Sequence, residues 1–244
     1  ELGIEPIAVY CQEPAHPYED EYKRAWLDEF GKRFSIRHHY IQNGPGLFRY
    51  GIAFGLNFPT EIGWGAQTTI LSLMMLPFSW FYGARFIFFG NEVSCNESEW
   101  NEGWKTYLAG FDQTCDWVRQ QNNMVRLLSG NQCSVRSTFE PLDEINIFYL
   151  LHHRYPDFSP YQFSCMAQEP LWADTQWCHS CYKCSRMFLF ARACGFDPYR
   201  IGFKKDLLNL PGQFENYFGR EFKSGSAQEL DFAFYMLYKR KSPS

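Results

Sequence analysis

Three thiols, each separated from the next by two residues, stand in Cys178-His179-Ser180-Cys181-Tyr182-Lys183-Cys184. A tight turn brings the first two sulfurs to one side, and the start of a following helix supplies the third. Cys165, a loop upstream, makes a set of four. Thiolates at this spacing converge on a tetrahedral centre. Four soft ligands leave no open coordination position, so the expected occupant is a structural zinc ion that serves folding rather than catalysis. An iron-sulfur cluster uses the same ligand type, and cysteines buried independently give the same spacing with no metal at all. His179 is a substitute ligand within the turn, but the four-thiolate set is preferred. Cys11, Cys95, Cys115, Cys133 and Cys194 read as core or pocket residues. Nine cysteines spaced this unevenly suit a reducing compartment, and a cytoplasmic location, better than a disulfide scaffold.

The elements that must position these thiols follow from hydrophobic periodicity. Ile4-Glu5-Pro6-Ile7-Ala8-Val9-Tyr10 reads as a buried parallel strand. Residues 18–34 carry Tyr22, Trp26, Leu27 and Phe30 at helical spacing, and residues 34–41 return to strand-like alternation. A strand, a helix and a strand joined by a crossover of this length imply a parallel sheet with helices on its faces. Residues 67–82 predict a mostly buried helix and 84–89 a buried strand ending at Gly90. The polar, Trp-studded stretch 91–114 predicts a long loop over the carboxyl ends of the strands, where open α/β sheets place their ligands. An amphipathic helix over 115–128, a short strand over 137–139 and a helix over 143–152 with acidic residues in its first turn come next. A helix over 184–194 follows the cysteine turn. A final helix near 228–238 lies in a terminus expected to be loosely held.

Composition narrows the class. Of 244 residues, 45% are hydrophobic and 20% charged, as in ordinary globular proteins. With 24 Phe, 15 Tyr and 8 Trp the chain has ring surface for a pocket or partner face as well as for a core. A net charge of -4 gives no basic stripe for a phosphate backbone, so nucleic acid is not the expected partner. The longest apolar stretch, 70–77 followed by Phe78, Trp80 and Phe81, is too short to span a bilayer, and neither a transmembrane segment nor a secretory signal is read. Glu1-Leu2-Gly3 reads as the last turn and glycine cap of a helix whose body lies upstream.

The order of these features resembles the PP-loop ATPases of the adenine-nucleotide α-hydrolase-like fold. The shared pieces are Gly90-Asn91-Glu92-Val93-Ser94-Cys95-Asn96-Glu97, Glu140-Pro141-Leu142-Asp143-Glu144-Ile145, His153-Arg154-Tyr155-Pro156, Phe163-Ser164-Cys165, Trp177 through Cys184, and Lys205-Asp206-Leu207-Leu208. Together they cover most of residues 4–210. Within that group the chain is similar to 7-cyano-7-deazaguanine synthases, which hold zinc with a comparable set of four cysteines. It looks closer still to ATP-dependent UDP-N-acetylmuramoyl-L-alanyl-L-glutamate epimerases. These enzymes cradle the pyrophosphate of ATP in a Ser-Gly-Gly-x-Asp-Ser loop between the first strand and the first helix. The present sequence has no such loop. The resemblance places it, with the first strand, on an upstream segment or a second chain in preference to outright loss.

The resemblance implies a Rossmann-like α/β domain over 1–223, with helices on both faces of a parallel sheet and a zinc element at 163–194, followed by a helix and tail over 224–244. It implies attack of a substrate carboxylate on the α-phosphate of ATP, with Mg²⁺ bridging phosphates. The resulting acyl-adenylate opens the way to epimerisation or to amide formation. Glu92 is then a metal-proximal or substrate-binding carboxylate, or else a solvated loop acid, and Glu97 and Cys95 are candidates for proton transfer at Cα. Tyr10, Gly90, Asn91, Gln113, Thr114, Lys183 and Arg186 fall on the nucleotide side, with Asp112 beside them; for Lys183 and Arg186 a solvated face is the competing reading. Trp64, Trp100 and Trp104 form a stacking wall or pack in a core. His152-His153 ends a helix, where a cation is favoured without catalysis. Three functions remain open: an amino-acid or peptide epimerase, a deazapurine-synthase-like amide-, nitrile- or conjugate-forming enzyme, and a non-catalytic nucleotide-binding or assembly module. The implied partners are a small-molecule or peptide carboxylate and the chain or segment with the pyrophosphate loop, in a homodimer or a larger complex.

Overall fold

Two parallel strands, β1 (Ile7–Gln12) and β2 (Arg37–Gln42), are joined by the crossover helix α1 (Glu19–Phe34), in register from Ile7 opposite Arg37 to Gln12 opposite Gln42. This computed structural model describes residues 4–12, 18–43, 67–107, 109–167, 175–218 and 227–241. Glu19, Asp20 and Glu21 open α1 and Lys32 and Arg33 close it, an arrangement that complements the helix dipole. The helix stops at Ser35, in the left-handed region at φ 55°, whose N–H bonds the carbonyl of Gly31. Gly31 is obligatory in this setting, because a Cβ would lie 2.9 Å from the Ile36 carbonyl and strike the ring of His38.

The chain divides into two compact units, the first comprising Glu1–Gln42, Ile145–Lys223 and Ala227–Ser244, and the second Asn43–Glu144 with Ser224–Ser226. In the second unit, α2 (Gln67–Tyr82) and α3 (Cys115–Leu128) accompany the parallel pair β3 (Phe86–Glu92) and β6 (Ser134–Phe139). Ile87, Val118, Val125, Cys133 and Val135 form the core there. The stretch expected as a long loop contains an antiparallel hairpin, β4 (Ser98–Asn101) and β5 (Trp104–Tyr107). Its two-residue turn, Glu102-Gly103, has φ of 50° and 84°, the positive pair that tight hairpins need.

In the first unit, α4 (Glu144–Arg154, entering from the unit boundary), α6 (Phe214–Phe218) and α7 (Ala227–Lys241) share one core with α5 (Tyr182–Cys194), the helix that follows the cysteine turn. Every residue of α5 from Cys184 to Cys194 except Arg192 is buried. A helix buried on nearly every face lies in the middle of a core, and α5 is packed with Phe148, Ile201, Phe203, Leu207, Tyr217 and Ala233, its polar Ser185 and Arg186 bonded to Gln213 and Glu229. Helix α7 is not loosely held. Ala233 is fully buried, and Arg240 donates from Nε to the carbonyl of Ala193 (2.7 Å) and from Nη2 to that of Cys194 (3.1 Å), closing the carboxyl end of α5.

The fold is mixed α/β. Among the described residues the strands form three two-stranded sheets, β1-β2 and β3-β6 parallel and β4-β5 antiparallel, rather than one open sheet. No helix among them is long and apolar enough to cross a membrane.

Candidate metal centre

Cys165, Cys178, Cys181 and Cys184 are all buried and their sulfurs all lie within 4.8 Å of one another. The sequence spacing produces this directly. Cys165 stands in the extended segment after a short 3-10 turn (Ser159–Tyr161), Cys178 opens the tight turn, Cys181 is the residue that begins α5, and Cys184 sits in the helix's first turn. Three sulfur separations are 3.9 Å (Cys165 to Cys181), 3.8 Å (Cys178 to Cys184) and 3.5 Å (Cys181 to Cys184). A tetrahedron with metal–sulfur bonds of about 2.3 Å has edges of about 3.8 Å, so one zinc-sized ion fits the set without rearrangement. A cluster of several irons needs its cysteines spread around a larger body.

The surroundings favour thiolates. Backbone N–H groups of Ala167 (3.2 Å) and Cys178 (3.3 Å) point at the Cys165 sulfur, and the Ser180 hydroxyl donates to that of Cys178 (3.2 Å). The start of α5 adds the positive end of a helix dipole at Cys181 and Cys184. Hydrogen bonds from the other thiols, Cys165 first, hold Cys178 below the ordinary thiol range, whereas those with Cys178 and Cys181 push Cys165 up and burial pushes Cys184 up. Four anions this close repel one another, and a divalent cation is what allows all four to ionise.

The turn is held from outside by residues that no local motif announces. His179 adopts φ 64°, uncommon for a non-glycine residue, and is fixed there by two contacts. Its Nε2 accepts the N–H of Lys204 (2.9 Å), and its ring meets Phe203 edge-on at 5.8 Å. Burial first, then Lys205, brings His179 down to about 4, so the ring is neutral and able to accept. With Nε2 given to Lys204, His179 is a positioning residue, which corrects its reading as a substitute ligand. Gln213 donates to the His179 carbonyl (3.4 Å) and Asn216 to that of Ser180 (2.8 Å), while Ser185 bonds Gln213 (2.6 Å). Beneath them Trp177 stacks on Phe203 at 4.5 Å and donates to the Ile201 carbonyl at 2.7 Å.

The other expected site residues fall into two groups. In the second unit, Asn91 and Glu92 end β3, and Cys95 and Glu97 follow on its 3-10 turn (Val93–Asn96) and just after it. The Cys95 thiol lies 3.9 Å from Oε1 of Gln113, so part of the expected set does gather at the carboxyl end of β3. Ser94 donates to Glu92 (2.8 Å) and Ser137 to the Asn91 carbonyl (2.7 Å), and Gly90 lies within β3 itself. Thr114 caps α3 by accepting the Trp117 N–H (3.3 Å), and Asp112 caps α2, accepting the N–H (2.8 Å) and hydroxyl (3.2 Å) of Thr68. These two are helix caps drawn from a segment read as ligand-binding.

In the first unit, Arg186 is a correction. It is 4% exposed and bonds Glu229, 5% exposed, at 2.6 Å, so it faces the core instead of a phosphate. Lys183 lies over the ring of Tyr182 at 5.9 Å. The hydroxyl of Tyr10 donates to Asp20 (2.7 Å), and burial raises its pKa. Tyr10 lines an apolar groove of about 620 Å³ with Trp26, Phe30, Phe158, Tyr161 and Phe163, which takes up part of the aromatic surplus. Trp100 and Trp104 are 75% and 78% exposed, so neither is core. Trp100 is paired with Lys105 and Trp104 with Asn101, successive rungs that face opposite sides, so they form no common wall. Trp64 lies outside the described residues, as do Glu1, Leu2 and Gly3. His152, expected as a helix-end cation, is instead buried and held below its ordinary pKa by that burial; its Nε2 bonds the Gln162 oxygen at 2.8 Å.

No protein-family model and no curated protein matches this sequence.

Proposed function

We propose that the four cysteines hold one structural zinc ion, and that the chain is the zinc-bearing part of an ATP-dependent enzyme of the PP-loop type that activates an amino-acid or peptide carboxylate. The observation that carries the enzymatic part is the gathering of Asn91, Glu92 and Cys95 at the carboxyl end of a parallel strand, with Gln113 in contact with Cys95, since that end is where α/β sheets meet ligands. The strand–helix–strand unit β1-α1-β2 and the parallel pair β3-β6 support the Rossmann-like reading. None of the nine cysteines forms a disulfide.

In this reading a carboxylate oxygen attacks the α-phosphorus of ATP and the bond to pyrophosphate breaks; Glu92 would hold a Mg²⁺ ion, which would offset the phosphate charge. The acyl-adenylate withdraws electrons from the adjacent carbon, so its Cα–H becomes acidic. A base removes that proton, return from the opposite face inverts the centre, and hydrolysis releases AMP. Cys95 and Glu97 stand on the turn that follows β3, within reach of a substrate bound at the strand end, and are the proposed proton carriers. Zinc takes no part in these steps; it fixes the turn that starts α5. The pyrophosphate loop that this reading requires is not within residues 1–244. One group of observations favours the competing reading of a non-catalytic module: Arg186, Asp112 and Thr114 serve as structural partners.

Incubation of the full-length protein with ATP and candidate carboxylates in deuterated water tests the proposal. Formation of AMP with deuterium at Cα supports the epimerase. AMP without deuterium favours an amide-, nitrile- or conjugate-forming enzyme, and no ATP use by protein with an intact Ser-Gly-Gly-x-Asp-Ser loop sinks both.

A further inference from the structure

Side chains of α1, the end of α4 and the 3-10 turn Ser159–Tyr161 line the apolar groove of the first unit. Its volume of about 620 Å³ lies within the range of about 300–1,000 Å³ usual for small-molecule sites. The ring geometry gives the shape of an occupant. Trp26 meets Tyr161 at 5.9 Å and 82°, Phe30 meets Tyr161 at 5.4 Å and 62°, and Phe30 lies at 57° to Phe158. Among the described residues none of Trp26, Phe30 and Tyr161 has a parallel ring partner, so these walls still offer the offset-stacked contact that a flat ring makes best.

The polar tips of the lining decide the occupant's charge. Tyr10 donates to Asp20 (2.7 Å), Tyr161 donates to Glu29 (3.1 Å), and Lys23 pairs with Glu19. Gln162 bonds Nε2 of His152 (2.8 Å) and the Ser164 hydroxyl (3.0 Å). An anion would have to draw Lys23 away from Glu19, leaving a carboxylate that is only 15% exposed without its cation. A cation would meet Lys23, whose ammonium already lies 5.9 Å from the centre of the Phe163 ring. A molecule rich in hydrogen-bonding groups, adenine among them, finds these four tips engaged and gives up its water for nothing.

We propose that this groove binds a small, neutral aromatic molecule with few hydrogen-bonding groups. Flat ring walls, committed polar tips and a cation held by its own acid together select that class. The occupant is neither ATP nor the carboxylate of the proposed reaction, so failure of either inference leaves the other standing.

The test uses the full-length protein and the photoreactive probe 5-azidoindole, irradiated with and without competitors and mapped by mass spectrometry. The expected result is saturable labelling within residues 23–30 and 151–163, suppressed by indole, with tryptamine, indole-3-acetate and ATP each at least about tenfold less effective as competitors. Leu27 is half-buried on the groove wall, and Leu27→Trp, which fills the space, should abolish the labelling without lowering the melting temperature. A folded Leu27→Trp protein that labels in full overturns the proposal. On the unsubstituted protein, labelling outside these segments, labelling that does not saturate, or competition by tryptamine, indole-3-acetate or ATP equal to that of indole overturns it as well. So does an absence of labelling, because a groove covered by another chain is closed to the probe.

Discussion

Glu229 offers the sharpest test of how the first unit is assembled around the cysteine turn. One carboxylate oxygen accepts the N–H of Ile145 at the start of α4 (3.0 Å), and the other accepts Nη2 of Arg186 on α5 (2.6 Å). A single side chain on α7 therefore caps one helix and neutralises another. Glu229→Gln keeps the shape and an oxygen for Ile145 but removes the charge, and Arg186 then keeps a buried cation without this partner. Removing one member of a buried pair costs about 3–5 kcal/mol. Arg186→Met leaves a carboxylate that still meets the α4 amino end, which offsets about 0.3–1 kcal/mol, so it should cost less. The double variant should recover part of the loss, because neither charge is then stranded. Urea titration of the four proteins, followed by circular dichroism, gives the coupling. Additive losses, or a Glu229→Gln protein as stable as the original, would refute the reasoning.

Stability should also depend on His152. Burial holds its folded pKa below the ordinary 6.5, so above pH 6.5 both states are neutral and it contributes no slope. Below pH 6.5 the unfolded chain binds the proton first, and stability falls as pH falls until the folded form protonates too. His152→Gln, which keeps a donor for Gln162, should flatten thermal stability between pH 7 and 5, and an unchanged profile would count against the assignment. Gly31→Ala should destabilise by about 1–3 kcal/mol through overpacking, against the gain of about 1 kcal/mol expected for such a change within a helix; a higher melting temperature would contradict the close approach to Ile36. Asp112→Ala should cost about 1–3 kcal/mol as a lost cap with a buried N–H left unmet, while leaving the KM for ATP unchanged. A selective rise in KM with intact stability would return Asp112 to the ligand.

What was legible in the sequence was what is local. Cys178, Cys181 and Cys184 are bound to meet because a turn and a helix start have fixed geometry, and helices α1 and α3 follow from the periodicity of their own residues. The misreadings share one cause, partners distant in sequence. Arg186 read as a phosphate contact because it flanks the turn, yet its partner Glu229 lies 43 residues away. Asp112 stood beside the ligand residues through the family resemblance, and the structure has it capping a helix through Thr68, 44 residues before it. The terminus read as loosely held because its own residues show no anchor, but the Arg240 guanidinium closes α5, bonding the Ala193 carbonyl 47 residues before it. Polarity over 91–114 suggested a loop, although Glu102-Gly103 carried a short hairpin signal. The positioning residues Gln213 and Asn216 have no local signature at all, since an amide that holds a distant carbonyl looks like any surface amide.

We propose that one zinc ion joins Cys165, Cys178, Cys181 and Cys184 and that the first unit folds around it. Metal analysis of protein purified without chelator, paired with the Cys181→Ser variant, tests it directly. The expected result is about one zinc per chain bound by four sulfurs at about 2.3 Å, with metal and thermal stability both lost in the variant. A folded protein that carries iron or no metal, or a Cys181→Ser protein that keeps its zinc in full, would contradict it.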